Sequence, residues 1–423
     1  MSTGSPGSGR ELPDVTFRRA GPEDEPALRS LLHRTPLPGP IRLSMRKEPD
    51  FFAAMAVEGE RTDVLLAEER GNGRIVGVGA RSEKRCTVNA ADEPEVVGYL
   101  SSLRIEAQHR GGRVLKAGYQ EMERMHAAGA ARIYATTILE DNVPAIRALT
   151  SGRPGLPHYR DFGPFHTLML SARALPTRVR GKHEAADAHA ADRAHEVSDA
   201  CDADVPELVG FWRRVGKQRQ FFPAYREEHF APRPVGDPCF RSPQAGDPTA
   251  GQSAVRLARA GGLLSGLSPR DIAVARVGGS IAGTAALWDQ AAFRQWFVEG
   301  YTGLLGLVRP AYNLAARLLA RPALPRPGTG FAYRFLALVC IQDDRADVLE
   351  ALLAHLGRRC RSEAFDGLVV AGFAGSDPLL RPVAALPHVL LRSRIYVVHW
   401  EDGRSAFDAL DASRVPYLEV GSL

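Results

Sequence analysis

Apolar and polar positions follow two rhythms along this chain, short strand-like runs and longer stretches with helical spacing, in a regular order. "VTFRRA", from Val15, reads as a short strand. "GPEDEPALRSLLHR" follows as a helix, with Pro22 and acidic residues in a first turn where the dipole's positive end favours them. After a proline-rich connection, "EPDFFAAMAVEG" sets Phe51 and Met55 at helical spacing and predicts a second, short helix. "DVLLAEERGNGRIVGVGARSEKRCTV" holds two apolar runs around Asn72-Gly73, a pair that supplies the positive φ angles of a tight hairpin. "EVVGYLSSLRIEA" then predicts a strand, "RVLKAGYQEMERMHAAG" a helix ending at Gly129, and "ARIYATTILEDN" a strand. "NVPAIRALTSG" predicts a short helix and "PFHTLMLSA" a closing strand.

Between Leu175 and Glu196 the text becomes polar, charged and poor in large apolar residues, which marks an interdomain connection. Beyond it the order of elements repeats. "HEVSDA" and "DADVPELVGFWRRVG" match the opening strand and helix, and "IAVARVGGSIAGTAALWD" matches the hairpin, with Gly278-Gly279 at its turn. "YRFLALVCIQDD", "RADVLEALLAHLGRRCRSEA", "FDGLVVAGFAG" and "SRIYVVHW" follow as strand, helix, strand and closing strand. The repeat is one of element order, not of residues. It predicts two copies of one α/β domain with a mixed sheet, over 13–172 and 196–423, joined by 173–195. The segment Lys217 to Arg270 has no counterpart of similar length in the first half.

A chain of 423 residues is long enough for two such cores, and 44% hydrophobic with 24% charged residues is the composition of an ordinary globular protein. No apolar run reaches the roughly 20 residues of a membrane span, and "MSTGSPGSGRELPD" has no signal-like apolar core. A cytoplasmic protein without a membrane partner is expected. Five cysteines without a close pair argue against a disulfide framework or a zinc cluster and predict buried free thiols, with no metal. A formal charge of +5 is mild: it suits a phosphorylated ligand and gives no reason to expect nucleic acid.

The candidate chemistry sits in "LRIEAQHRGGRVLKAGYQ", Leu103 to Gln120, a strand, a basic glycine-containing turn and a helix. A helix that starts directly after a strand leaves unpaired N–H groups at the positive end of its dipole, which is an anion site. Gly111 and Gly112 allow close backbone approach, and Arg110 and Arg113 add charge and directed donors suited to pyrophosphate. The alternative is a surface turn whose arginines are solvated.

With this loop in that order of elements, the sequence resembles the GCN5-related N-acetyltransferases. The resemblance implies two tandem domains of the acyl-coenzyme A N-acyltransferase fold and acetyl-coenzyme A as cosubstrate. Leu103, Arg104 and Ile105 would then face the pantetheine, Arg110, Gly111, Gly112, Arg113, Val114 and Leu115 would form the pyrophosphate loop, and Asn142 would border the coenzyme. Arg113 and Leu115 stand where the family's loop has small residues. Leu149 stands where many members carry a tyrosine that protonates the leaving thiolate, and Tyr159 is the substitute candidate. For the base that takes the proton of the acceptor amine, the candidates are Glu83 and Glu95. The corresponding loop of the second half, "CIQDDRADVLEA", has no glycine and carries Asp343, Asp344 and Asp347, which implies a degenerate copy that does not bind coenzyme in the usual way. The implied reaction is acetyl transfer to a primary amine of a small molecule, peptide or protein. The alternative is a catalytically silent acyl-coenzyme A-binding regulatory module.

Overall fold

Two α/β halves run through the chain in the same order, seen in a computed structural model that describes residues 15–37, 39, 41–110, 113–178, 195–230, 262–319 and 321–423. The first half comprises β1 (Val15–Arg19), α1 (Glu25–Arg34), β2 (Ile41–Arg46), α2 (Phe51–Met55), β3 (Arg61–Glu69), β4 (Ile75–Cys86), β5 (Glu95–Ile105), α3 (Arg113–Ala127), β6 (Tyr134–Leu139), α4 (Val143–Leu149) and β7 (His158–Ser171). The second comprises β8 (Glu196–Asp199), α5 (Val205–Gly216), β9 (Ile272–Val277), β10 (Ser280–Trp288), β11 (Gln295–Tyr301), α6 (Leu305–Leu318), β12 (Thr329–Gly330), β13 (Tyr333–Ile341), α7 (Ala346–Ser362), β14 (Leu368–Ala374), α8 (Leu380–Ala384), β15 (His388–His399) and α9 (Arg404–Asp408). Residues 179–194 of the connection and 231–261 of the insert, with Cys239, lie outside the described residues.

One twelve-stranded sheet joins the halves, in the order β1-β3-β4-β5-β6-β15-β7-β14-β13-β10-β9-β8. The run β1-β3-β4-β5-β6 is matched from the other end by β8-β9-β10-β13-β14, and the closing strands are exchanged. β15 lies antiparallel to β6, from Ser393 opposite Leu139 to Val398 opposite Tyr134. β7 lies antiparallel to β14, from Ser171 opposite Leu368 to Phe165 opposite Ala374. β7 and β15 also pair with each other, from Leu170 opposite His388 to His158 opposite His399.

Helical periodicity decides which faces are buried. α3 turns Val114, Tyr119, Met122, Met125 and His126 inward, and α7 turns Val348, Leu349, Leu352, Leu353, Leu356 and Cys360 inward. The hairpins form where expected. Gly278 and Gly279 both take positive φ, 56° and 81°. In the first hairpin the positive angles fall instead on Gly71 (93°) and Gly73 (69°). Asn72 braces the turn with its side chain, donating to Glu69 at 2.6 Å and accepting from the Arg74 N–H at 2.9 Å.

The proline-rich connection holds a strand absent from the sequence reading. β2 pairs with β11 of the second half in a separate three-stranded sheet, β12-β11-β2. The thiols of Cys86, Cys340 and Cys360 are free and buried, whereas Cys201 is free and exposed, contrary to expectation.

Candidate active site

The central strand of each half carries a bulge. Between β4 and β5 the register slips between Val78 and Ala80, and Ser102 takes φ +56°. Between β10 and β13 it slips between Thr284 and Ala286, and Leu338 takes φ +51°. A side chain at positive φ is strained, so its recurrence at one position of both halves marks a required geometry. β5 and β6 pair in parallel only at Gly98–Tyr134 and Tyr99–Ala135. β13 and β14 pair from Tyr333–Leu368 to Leu336–Ala371. Past these pairs the strands part, leaving a wedge beside each bulge.

At the open end of the first wedge stand Leu103, Arg104 and Ile105, then Arg110 and the first turn of α3 with Arg113, Val114 and Leu115. Gly111 and Gly112 lie outside the described residues. Arg104 donates to the Leu103 carbonyl at 2.8 Å and Arg110 to the Ile105 carbonyl at 3.1 Å. Among the described residues neither has a carboxylate partner. Burial, with the Arg110 charge nearby, lowers the Arg104 pKa below the usual guanidinium range. Two uncompensated guanidiniums at a helix start make a positive mouth. The Val114 side chain is spent on the core with Val15, Ala67 and Val76. Asn142 caps α4, accepting from the Ala145 N–H at 3.4 Å.

Of the acid–base candidates from the sequence, Glu83 and Glu95 lie toward the far ends of β4 and β5 from the bulge. Glu83 is buried on β4, ion-paired with the fully buried Arg81, and accepts from the N–H groups of Ala130 (3.0 Å) and Ala131 (3.1 Å). Its oxygens are occupied in bracing the turn after α3. Glu95 is exposed at the start of β5, six residues before Ser101, roughly 20 Å along an extended strand. The Tyr159 hydroxyl shares a hydrogen bond of 2.5 Å with Tyr119 of α3 in a cluster that also holds Tyr396, and burial pushes its pKa well above the usual value of 10. Leu149 packs in the same core.

A different charged cluster lies at the bulge. Glu58 accepts from the Ser101 hydroxyl at 2.5 Å, pairs with Lys47 at 3.3 Å and is ion-paired with Arg294 of the second half. Lys47 also donates to the Ser102 hydroxyl at 3.1 Å. The side chains of Lys47, Glu58 and Arg294 are each only 2% exposed. Burial pushes the Lys47 ammonium down to about 8, against the attraction of Glu58. Burial also opposes the Glu58 charge, but Lys47, Arg294 and Ser101 outweigh it and hold the carboxyl below its ordinary range. Near this cluster a small pocket, beside the Tyr99–Ala135 pair of β5 and β6, is lined by Lys84, Cys86, Tyr99, Ala135, Tyr417 and Glu419. Charged residues inside apolar text, as in "MAVEGE", "AAFRQWF" and "YLEVG", are the signal that could have pointed to Glu58, Arg294 and Glu419.

In the second half the equivalent places are filled. The Leu338 N–H donates to Glu419 at 2.9 Å, and the segment around Val420 lies against β14. A Cβ on Gly372 would come within 2.9 Å of Val420, so glycine permits this close approach. At the mouth, Arg219 is ion-paired with Asp344 and, at 3.2 Å, with Asp377.

No protein-family model and no curated protein sequence matches the chain. Among solved structures, Saccharomyces cerevisiae N-myristoyltransferase with bound myristoyl-CoA superposes with a TM-score of 0.53 over 93% of this chain and 81% of that one, at 10% identity. A GCN5-related glucosamine N-acetyltransferase region in a fungal multi-domain β-N-acetylglucosaminidase gives 0.53 at 11% identity, over 92% of this chain and 39% of that one. The fold is the one these two structures have, and its order of elements runs twice along this chain. Among the described residues no group of three or more His, Cys, Asp or Glu side chains is placed to hold a metal, and no helix is long and apolar enough to cross a membrane.

Proposed function

We propose that the chain is an acyl-coenzyme A-dependent N-acyltransferase whose first half holds the thioester, acetyl-coenzyme A in the simplest reading, and transfers its acyl group to a primary amine. The observation that carries this is the asymmetry of the two mouths: among the described residues Arg104 and Arg110 have no carboxylate partner at the first, whereas at the second Arg219 is engaged by two carboxylates, Asp344 and Asp377. In this reading the α3 N-terminus and the two arginines take the pyrophosphate, with Asn142 bordering the coenzyme. The pantetheine lies along Leu103 to Ile105 in the wedge.

The amine nitrogen attacks the thioester carbonyl carbon, the C–S bond breaks, and the thiolate leaves and is protonated. For the proton lost by the amine we assign Lys47, held by Glu58 beside the bulge, in place of Glu83 and Glu95. Burial gives Lys47 a neutral fraction near physiological pH that an exposed lysine lacks.

The structural neighbour with bound myristoyl-CoA makes acyl length a variable to test. Thiol release from acetyl- and myristoyl-coenzyme A with a panel of small amines, amino acids and peptides tests the reading. Release that depends on an amine supports it. Saturable binding without release against every acceptor would identify the silent regulatory module instead.

A further inference from the structure

α6 is built inside out. Its inward stripe carries the polar groups: Arg309 donates to the Leu324 carbonyl at 3.2 Å, Tyr312 to the Pro322 carbonyl at 3.1 Å, and Asn313 exchanges two hydrogen bonds with the Leu324 backbone at 2.9 and 2.8 Å. The outward stripe, Leu304, Leu307, Val308, Ala311, Leu314 and Leu318, follows three- and four-residue spacing and has no charge in it. Leu307 is 78% and Leu318 83% exposed. Six of the nine large hydrophobic side chains exposed among the described residues fall between Leu304 and Leu319, so the patch is a single concentrated feature and not scattered surface apolarity.

The helix belongs to a segment, 289–332, that joins β10 to β13, where the first half joins β4 to β5 through 87–94 alone. It is an addition to the repeated fold. Its sequence surroundings are one-signed. No Asp or Glu occurs from 300 to 342, while Arg309, Arg317, Arg321, Arg326 and Arg334 do.

We propose that this helix docks the protein onto an anionic lipid surface, lying in the plane of the interface with its leucines below the headgroups. Its 14 residues span about 21 Å, too short to cross a bilayer and long enough to lie along one. The charge decides against a second copy as occupant: a two-fold contact would bring the exposed Arg321 and Arg326 of both copies together, with no acidic residue in the segment to pair them. An anionic headgroup layer complements the same arginines. The expectation of no membrane partner rested on spanning segments, which interfacial docking does not need.

Sedimentation of the full chain with vesicles of phosphatidylcholine containing about 30% phosphatidylserine tests this. Binding at least about tenfold tighter than to pure phosphatidylcholine, weakening as salt is raised, is expected. Leu307→Asp with Leu314→Asp, both at exposed positions, should lower binding at least about tenfold while thermal unfolding is unchanged. Arg321→Glu with Arg326→Glu should lower binding to the anionic vesicles and leave that to pure phosphatidylcholine unaffected. Equal binding to both vesicle types, or undiminished binding by the folded leucine variant, would overturn the assignment. So would a lipid-free dimer that Leu307→Asp dissolves in analytical ultracentrifugation, or capture by an acidic protein surface with no vesicle binding.

Discussion

The Leu338 N–H donates to the Glu419 carboxylate at 2.9 Å, so the bulge of the second half is satisfied from within the chain. The Tyr417 hydroxyl (2.7 Å) and the Gly421 N–H (3.3 Å) donate to the same carboxylate, and burial raises its pKa above the ordinary value of 4.5. Glu419→Ala would leave three buried donors to compete for water at about 1–3 kcal/mol for each group left unpaired. A loss of stability of about 3 kcal/mol in urea unfolding is expected. A loss below about 0.5 kcal/mol would mean that the wedge is already hydrated and is not sealed by this segment.

Exchange of β7 and β15 makes each half incomplete alone. Residues 1–178 expressed without the rest would present β6 as a bare edge where β15 belongs, and β7 without β14 or β15. Such a fragment should aggregate or remain unfolded. Co-expressed with 195–423 it should co-purify as a folded pair. A soluble first half with cooperative unfolding would show that the exchange is dispensable.

Glu83→Gln separates bracing from chemistry. The substitution leaves the Arg81 guanidinium, fully buried, with Asp63 at 3.0 Å and the Met125 carbonyl at 2.7 Å but without its second carboxylate. Breaking a buried pair on one side costs roughly 3–5 kcal/mol. The variant should unfold at lower urea yet retain kcat within about threefold of the parent. A drop in kcat of a hundredfold or more with stability intact would restore Glu83 as the base.

The order of elements was legible because each run is long enough to show its period: α3 and α7 bury one stripe each, and the glycine pair at 278–279 dictates its hairpin. The exchange of closing strands was not, since β7 and β15 carry the same apolar alternation and either partner would bury it. Of the proposed site, the basic glycine-containing loop at Arg110 stands out by its local chemistry. Lys47, Glu58 and Arg294 were not, because three segments far apart in sequence compensate one another only in the fold. Glu83 looked free in the sequence for the same reason: Arg81, its partner, is two residues away on the same face of β4, but the N–H groups of Ala130 and Ala131 come from elsewhere.

Lys47 should leave a mark on the pH dependence of stability. Its ammonium titrates at about 8 in the fold against an ordinary 10.5, so between these values the unfolded chain holds a proton that the fold does not. Its contribution to stability therefore rises with pH across that window, by on the order of 3 kcal/mol in total. The stability of the parent minus that of Lys47→Met, from urea unfolding between pH 8 and 10.5, should increase accordingly. In the proposed reaction kcat should also climb along a limb centred at about 8. A flat difference with a flat rate profile would remove Lys47 from proton transfer.

The placement of the coenzyme is tested most directly by charge. Arg110→Glu with Arg104→Gln replaces two cationic donors at the first mouth by one acceptor and one neutral group, and puts a negative charge at the start of α3, where the dipole favours anions already bound there. A charge-assisted hydrogen bond contributes about 1.5–3 kcal/mol, and a tenfold loss of affinity needs only about 1.4. Titration calorimetry with acetyl-coenzyme A should therefore show at least a tenfold weaker complex, in a variant whose thermal unfolding stays close to that of the parent because, among the described residues, neither arginine pairs with a carboxylate. Asp343→Lys supplies the control. Asp343 is exposed in the second loop, outside the Arg219–Asp344–Asp377 cluster that occupies that mouth, so a lysine there adds charge without opening the site. Affinity should change by less than about twofold. Unchanged binding in the arginine variant would remove the coenzyme from the first mouth, and tighter binding with two equivalents of coenzyme in Asp343→Lys would show that the second wedge lacks only charge.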